Sequence, residues 1–180
     1  MMDGVALDII ILSVLRAAPA HGYELKRRVQ RPTLTPLSNN SLYPHLRRFE
    51  QAGAVTQTVE QQEGKPARKV YAITDAGRRL FTELISTLPL DLAGDDEEFL
   101  VRLSFFNEIA PANRRAILAA RAAVLDAGIA QVRTLLAEIA HSPAHEWRSL
   151  AMEQLLDRLE HDRGLIRDLT KKAGTSDHDH

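Results

Sequence analysis

The chain has 180 residues, 44% of them hydrophobic and 26% charged, with 23 Lys+Arg against 24 Asp+Glu. That is enough apolar material for one mid-sized domain or two small ones, with no need of a stapling disulfide or metal. The absence of cysteine excludes thiol catalysis and thiolate zinc sites, and it fits a reducing, cytoplasmic setting.

Residues 5–18 are strongly apolar and predict a helix buried on most sides. Its run Ile9 to Leu12 is too short to span a bilayer and carries no signal-peptide architecture, so no membrane partner is expected. Pro19 stops it. His21-Gly22 opens a short second helix to about Gln30, with Leu25 and Val29 facing inward. Arg31 to Pro36 reads as a loop. Ser38, Asn39 and Asn40 are good N-caps for a third helix to about Ala52, which Gly53 ends. Two β-rich runs follow, Ala54 to Glu60 and Arg68 to Ile73, joined by a polar tip from Gln61 to Pro66. Thr74 caps a fourth helix to about Leu88, and Pro89 to Gly94 has linker composition. The rest is helical. One helix runs from about Asp95 to Asn107, with Phe99, Leu100, Leu103 and Phe106 on one side and four acids in its first turn, where they suit the helix dipole. A second opens at Pro111 and ends before Ser142-Pro143. A last helix covers about Ala144 to Lys172, ahead of a polar tail from Ala173 to His180.

Three helices, a hairpin and a helix are the plan of a winged helix-turn-helix, whose third helix enters the major groove while the hairpin tip reaches the backbone. At about 100° per residue, Leu42, Leu46 and Phe49 share one face of the third helix. The opposite face carries Asn40, Pro44, Arg47 and Gln51, flanked by Tyr43 and Arg48. Arg forks onto guanine, Asn and Gln pair with adenine, and an aromatic ring or proline touches a thymine methyl. A solvated helix face also favours Arg and Gln, so this row alone leaves two readings open. The hairpin cations Lys65, Arg68 and Lys69 tip the balance, because phosphate contacts need them and an ordinary hairpin does not. Lys26, Arg27 and Arg28 add a second basic patch. Residues 1–88 balance at +4 and residues 89–180 at -5, which puts the anion-meeting half first.

The motifs carry a resemblance as well. Ala20-His21-Gly22-Tyr23-Glu24-Leu25 resembles the opening of the second helix in PadR-type transcription regulators. Ser41-Leu42-Tyr43-Pro44-His45-Leu46-Arg47-Arg48 is similar to that family's recognition helix. Gly64-Lys65-Pro66, then Arg68-Lys69-Val70-Tyr71-Ala72-Ile73-Thr74 and Gly77, resemble its wing and the turn after it. The chain departs at Asn40, where the family often has glycine, and at Phe49, where it has leucine. Pro44 requires the helix to start no earlier than about Asn39, since a missing N–H is tolerated only near a helix start.

The expected fold is therefore mainly α, an α+β winged helix-turn-helix over residues 1–88 and an all-α dimerisation and effector domain over 89–180. The dimerisation stripe is Leu118, Leu125, Ile129, Val132 and Leu136, with Ala122 and Ile139 in heptad register, and Leu156, Leu159 and Ile166 on the last helix. A second copy suits both the apolar surface of three helices and a two-fold operator. The resemblance implies a small aromatic or drug-like effector in some members. Trp147, with His145 and Arg148, could line its pocket or simply pack. Pro143 between His141 and His145 spoils a metal site, the tail Asp177-His178-Asp179-His180 would bind metal only loosely, and no enzyme motif appears. No metal, cofactor or catalytic role is expected. The expected partner is a double-stranded DNA operator, bound by a regulator that more often represses. The rival from another class is a winged-helix protein–protein module without DNA.

Overall fold

A computed structural model describes residues 4–33, 39–62, 65–139 and 146–175, without the side chains of residues 31–33, 39–41, 62, 65–67 and 175. It divides into two compact units, residues 1–85 and 86–180.

The first unit is built on α1 (Val5–Ala17). Leu7, Ile9, Ile11, Leu12 and Leu15 are almost wholly enclosed, and each such burial stabilises by about 1.5–3 kcal/mol. Against α1 lie α2 (Gly22–Thr33) and α3 (Asn39–Gln51), followed by the strands β2 (Val55–Gln62) and β3 (Lys65–Ile73) and by α4 (Asp75–Ser86). Arg16 stacks over the Phe81 ring, 4.4 Å from its centroid. This is a winged helix-turn-helix.

Three local features differ from expectation. A two-residue strand, β1 (Ala20–His21), precedes α2 and pairs with Tyr71 and Val70, so the sheet is three-stranded in the order β1-β3-β2. A strand this short carries no periodicity to read. The second helix does not stop at Gln30 but runs to Thr33, because Pro32 falls in its last turn and removes only one ladder bond. The hairpin pairs almost to its tip, with Gln62 opposite Lys65 after a register shift at Glu60/Gln62. The loop expected from Gln61 to Pro66 is thus mostly strand. Pro66 is tolerated because β1 flanks β3 only at Val70 and Tyr71, which leaves an open edge beside it.

The third helix ends as its sequence predicts. Gly53 takes φ +67, its N–H donates to the Glu50 carbonyl at 3.0 Å, and the Ala54 N–H donates to that of Phe49 at 2.8 Å. That is a complete Schellman motif. Thr74 caps α4 by accepting the Gly77 N–H at 3.1 Å.

The second unit contains α5 (Asp96–Leu103), a 3₁₀ turn (Phe106–Glu108), α6 (Pro111–Ile139) and α7 (Glu146–Thr175). Asp95 caps α5 by accepting from the Glu97 and Glu98 N–H groups at 2.8 and 3.1 Å. The helix ends at Leu103 rather than at Asn107, and Leu100 is exposed while Phe99 is buried. The Ser104 hydroxyl closes the end by donating to the Val101 carbonyl at 2.6 Å. α6 packs along α7. Ion pairs Asp126–Arg163 and Arg133–Glu160, each 2.7 Å, show that the two run antiparallel. The α6 stripe faces this seam: Leu118, Leu125, Ile129, Val132 and Ile139 are buried and Leu136 half-buried. On α7, Ile166 is buried, and Leu156 and Leu159 are half-buried.

Residues 89–94 are not a free linker. Ala93 is buried and its carbonyl accepts from Arg121 Nη1 at 2.9 Å. α7 continues past Lys172 to Thr175, so the polar tail begins later than expected. His141, Ser142-Pro143, His145, Gly64 and Asp177 to His180 lie outside the described residues.

Candidate nucleic-acid interface

α3 is divided by its own periodicity. Leu42, Leu46 and Phe49 are buried to 2% exposure or less, while Tyr43, Pro44, Arg47 and Gln51 are exposed. α3 runs on through Pro44, its sixth residue, which gives up one ladder bond, the one to the Asn40 carbonyl. Asn40 and Ser41 are within the first turn of α3, and their side chains are not described.

Beside this face is a groove of about 570 Å³, lined by His21, Gly22, Tyr23, Glu24, Arg27, Tyr43, Arg68, Lys69 and Tyr71. Three elements build it. The start of α2 supplies Tyr23 and, one turn on, Arg27. The wing strand β3 supplies Arg68, Lys69 and Tyr71. The recognition helix supplies Tyr43, whose hydroxyl approaches Gly22 so closely that a Cβ there would meet it at 3.0 Å. Glycine at position 22 thus leaves room for the Tyr43 ring and hydroxyl against the start of α2, which is what the His-Gly-Tyr motif supplies here.

The groove has the chemistry of an anion seat. Among the described residues, no acid pairs with Arg27, Arg68 or Lys69, and Glu24, its one carboxylate, accepts from Arg28 Nη2 at 2.5 Å. His21 Nδ1 is buried without a hydrogen-bond partner among the described residues, a state that a protein interior rarely leaves uncompensated. The Tyr71 phenol has its pKa raised above 10.0, by burial first and then by the nearby Glu50 and Tyr43. It therefore stays protonated, and able to donate, throughout the neutral range.

The expected DNA-binding residues divide accordingly. Tyr43, Arg68 and Lys69 meet in the groove, and Pro44, Arg47 and Gln51 extend along the exposed face of α3. Lys65 is placed at the far end of β3, and its side chain is not described. Lys26 is half-buried and does not line the groove; Arg27 occupies that position instead. Arg48 is exposed along much of its length, yet its guanidinium reaches back to Asp8 on α1. The sequence names His21, Tyr23 and Tyr71 only within motifs and Arg27 only within a basic patch, and does not bring the four together in one groove. The four-residue spacing of Tyr23 and Arg27 could have flagged that pair. Tyr71 could not be placed without knowing which face of β3 turns toward α2.

Trp147, the expected effector residue, is 82% exposed, so it does not pack into the core of its unit. No helix among the described residues is long and apolar enough to cross a membrane.

Residues 11–83 match the family described as "Transcriptional regulator PadR-like family". A Mycobacterium tuberculosis protein named "Probable transcriptional regulator" is 39% identical over 75 residues, which cover 41% of this chain and 40% of that relative. Among solved structures, Bacillus subtilis PadR in complex with operator DNA aligns with a TM-score of 0.42 at 19% identity, over 93% of this chain and 98% of that one. The same protein in complex with p-coumaric acid aligns with a TM-score of 0.41 at 17% identity, over 97% and 99%.

Proposed function

We propose that the chain is a sequence-specific DNA-binding regulator of the PadR-like family, whose family model matches residues 11–83. One observation carries the reading: the exposed row Tyr43, Pro44, Arg47 and Gln51 on a helix whose other face is locked in the core, with the cationic groove beside it. The row reads base edges in the major groove. The groove, with Arg27, Arg68 and Lys69, seats a backbone phosphate and fixes register. Asn40, Ser41 and Lys65 belong to the same surface by position.

The regulator acts as a homodimer on a two-fold operator, as a repressor released by a small aromatic or drug-like effector, and works in the cytoplasm. Most of the α6 stripe is covered by α7 within one chain, so the second copy meets the outer side of α7. Trp147, Leu150 and Leu165 are all exposed there and lie within about 60° of one another at 100° per residue. Trp147 is too open to enclose an effector alone.

The test is a mobility shift of the DNA upstream of the chain's own gene over a salt series, with sizing of the free protein. A salt-dependent shift and a mass twice 20.1 kDa are expected. No shift at low salt would leave the rival, a protein–protein module. Arg47→Ala is expected to cost about 1–3 kcal/mol on the operator and to relax preference at one base. Equal loss on operator and random duplex would sink its base-reading role. Lys69→Gln is expected to weaken every duplex alike and to lower the salt slope by about 1. A loss confined to one sequence would contradict the phosphate role.

A further inference from the structure

Asp8 is an anomaly in α1. It is only 9% exposed on a helix whose other buried residues are all apolar. A buried carboxylate is costly unless it is paired and hydrogen-bonded, and among the described residues both partners of Asp8 come from one helix, α3. His45 Nδ1 lies 2.5 Å from Asp8 Oδ1. A carboxylate only accepts, so that nitrogen carries the proton and donates. Arg48 Nη2 reaches both oxygens of Asp8 and lies 3.2 Å from His45 Nδ1. The guanidinium also lies over the Phe49 ring, 5.5 Å from its centroid. The arrangement ties the middle of the recognition helix to α1 at one point and neutralises one of its two arginines.

We infer that Asp8, which is buried in α1, is a specificity-determining positioning residue: it holds Arg48 and neutralises its charge inside the fold, so that Arg47 is the one free cation of the described part of the recognition helix. The inference rests on the DNA-binding reading above. Its physical logic is a ratio. A mobile arginine takes up a phosphate contact in any register, as on random DNA, whereas on the operator base-edge contacts fix one register and carry the discrimination. An unheld Arg48, one position from Arg47, would raise affinity for random DNA more than for the operator. Asp8 removes that contribution and fixes the rotation of α3 through His45.

The test measures full-length protein binding by fluorescence anisotropy over a potassium chloride series. The probes are a duplex from upstream of its own gene and a scrambled duplex of equal composition. Asp8→Asn keeps the shape of the side chain and removes its charge. Its expected result is tighter binding to the scrambled duplex, several-fold at low salt. The slope of log K against log salt should steepen by about 0.9 per bound chain, the value of one added phosphate contact. Arg48→Gln alone should leave the wild-type slope nearly unchanged, and Asp8→Asn with Arg48→Gln should return the slope to wild type. A merely structural role for Asp8 predicts the reverse sign: weaker binding to both duplexes in step with a lowered Tm, and no change in slope. That outcome overturns the inference. So does a slope lowered by about 0.9 in Arg48→Gln alone, a readout that holds even if Asp8→Asn does not fold. Absence of salt-dependent binding by the wild type is a different failure, because it removes the DNA-binding reading itself.

Discussion

Gly77→Ala is expected to destabilise the first unit by about 3 kcal/mol, the upper end for overpacking a rigid site. A Cβ at this position would sit 2.1 Å from the Ala54 carbonyl oxygen and 2.7 Å from Ile73 Cγ1. The side chain could yield, but the carbonyl cannot. It accepts the Thr74 N–H at 3.0 Å and lies 3.1 Å from the Thr74 hydroxyl. That hydroxyl also lies 2.7 Å from the Gly53 carbonyl and caps α4 through the Gly77 N–H. One clash would therefore loosen the end of α3, the root of the wing and the start of α4 together. Gly53→Ala is the control. Nothing lies within 4 Å of a Cβ there, so only the φ of +67 is strained, at about 1 kcal/mol. Urea unfolding of both variants checks the order, and a Gly77→Ala loss no greater than that of Gly53→Ala would show that close approach is not the reason for the glycine. The loosened wing should also weaken binding to every duplex, since Arg68 and Lys69 are on the strand that this turn anchors.

The same pair of glycines shows what was legible in the sequence. Gly53 could be read directly, because a helix pattern ending at a glycine is a local signal. Gly77 could be matched to a motif, but its cause is a carbonyl 23 residues away that only folding brings near. The recognition helix divides likewise. Leu42, Leu46 and Phe49 followed from an angle of about 100° per residue, and all three are buried. His45 and Arg48 did not follow, because their partner Asp8 lies 37 and 40 residues earlier and looks in sequence like an ordinary polar position on an apolar helix. Periodicity reports which face turns inward. It does not report which buried polar atoms meet there, and those pairings decide whether Arg48 acts on DNA or on α1. The groove residues His21 and Tyr71 were hidden for a related reason, since β1 is too short to announce that it lies beside β3.

The second unit puts the same point in energetic form. Arg102 is 1% exposed, and three acceptors surround it. Its Nε donates to the Thr87 carbonyl at 2.5 Å, and Nη1 donates to the Glu98 carbonyl at 2.8 Å and to Glu98 Oε2 at 2.6 Å. It thus fastens the segment leading into α5 to the helix itself, one turn from where Arg121 Nη1 holds the Ala93 carbonyl and Nη2 binds Asp96. Arg102→Leu removes the guanidinium from a buried carboxylate and from two backbone carbonyls, and is expected to cost about 3–5 kcal/mol, the range for breaking a buried ion pair. Arg158, which meets Asp96 at 2.9 Å with 68% of its side chain exposed, is the contrast. Its loss should cost well under 1 kcal/mol, because water already solvates most of that pair. Removing both members of the buried pair with apolar residues of similar volume, Arg102→Met with Glu98→Leu, should recover much of the stability, since the cost of desolvating the charges disappears with them. Thermal unfolding followed by circular dichroism ranks the three variants. If the Arg102→Leu loss were no larger than the Arg158→Ala loss, the buried pair would not be what holds residues 86–95 against α5.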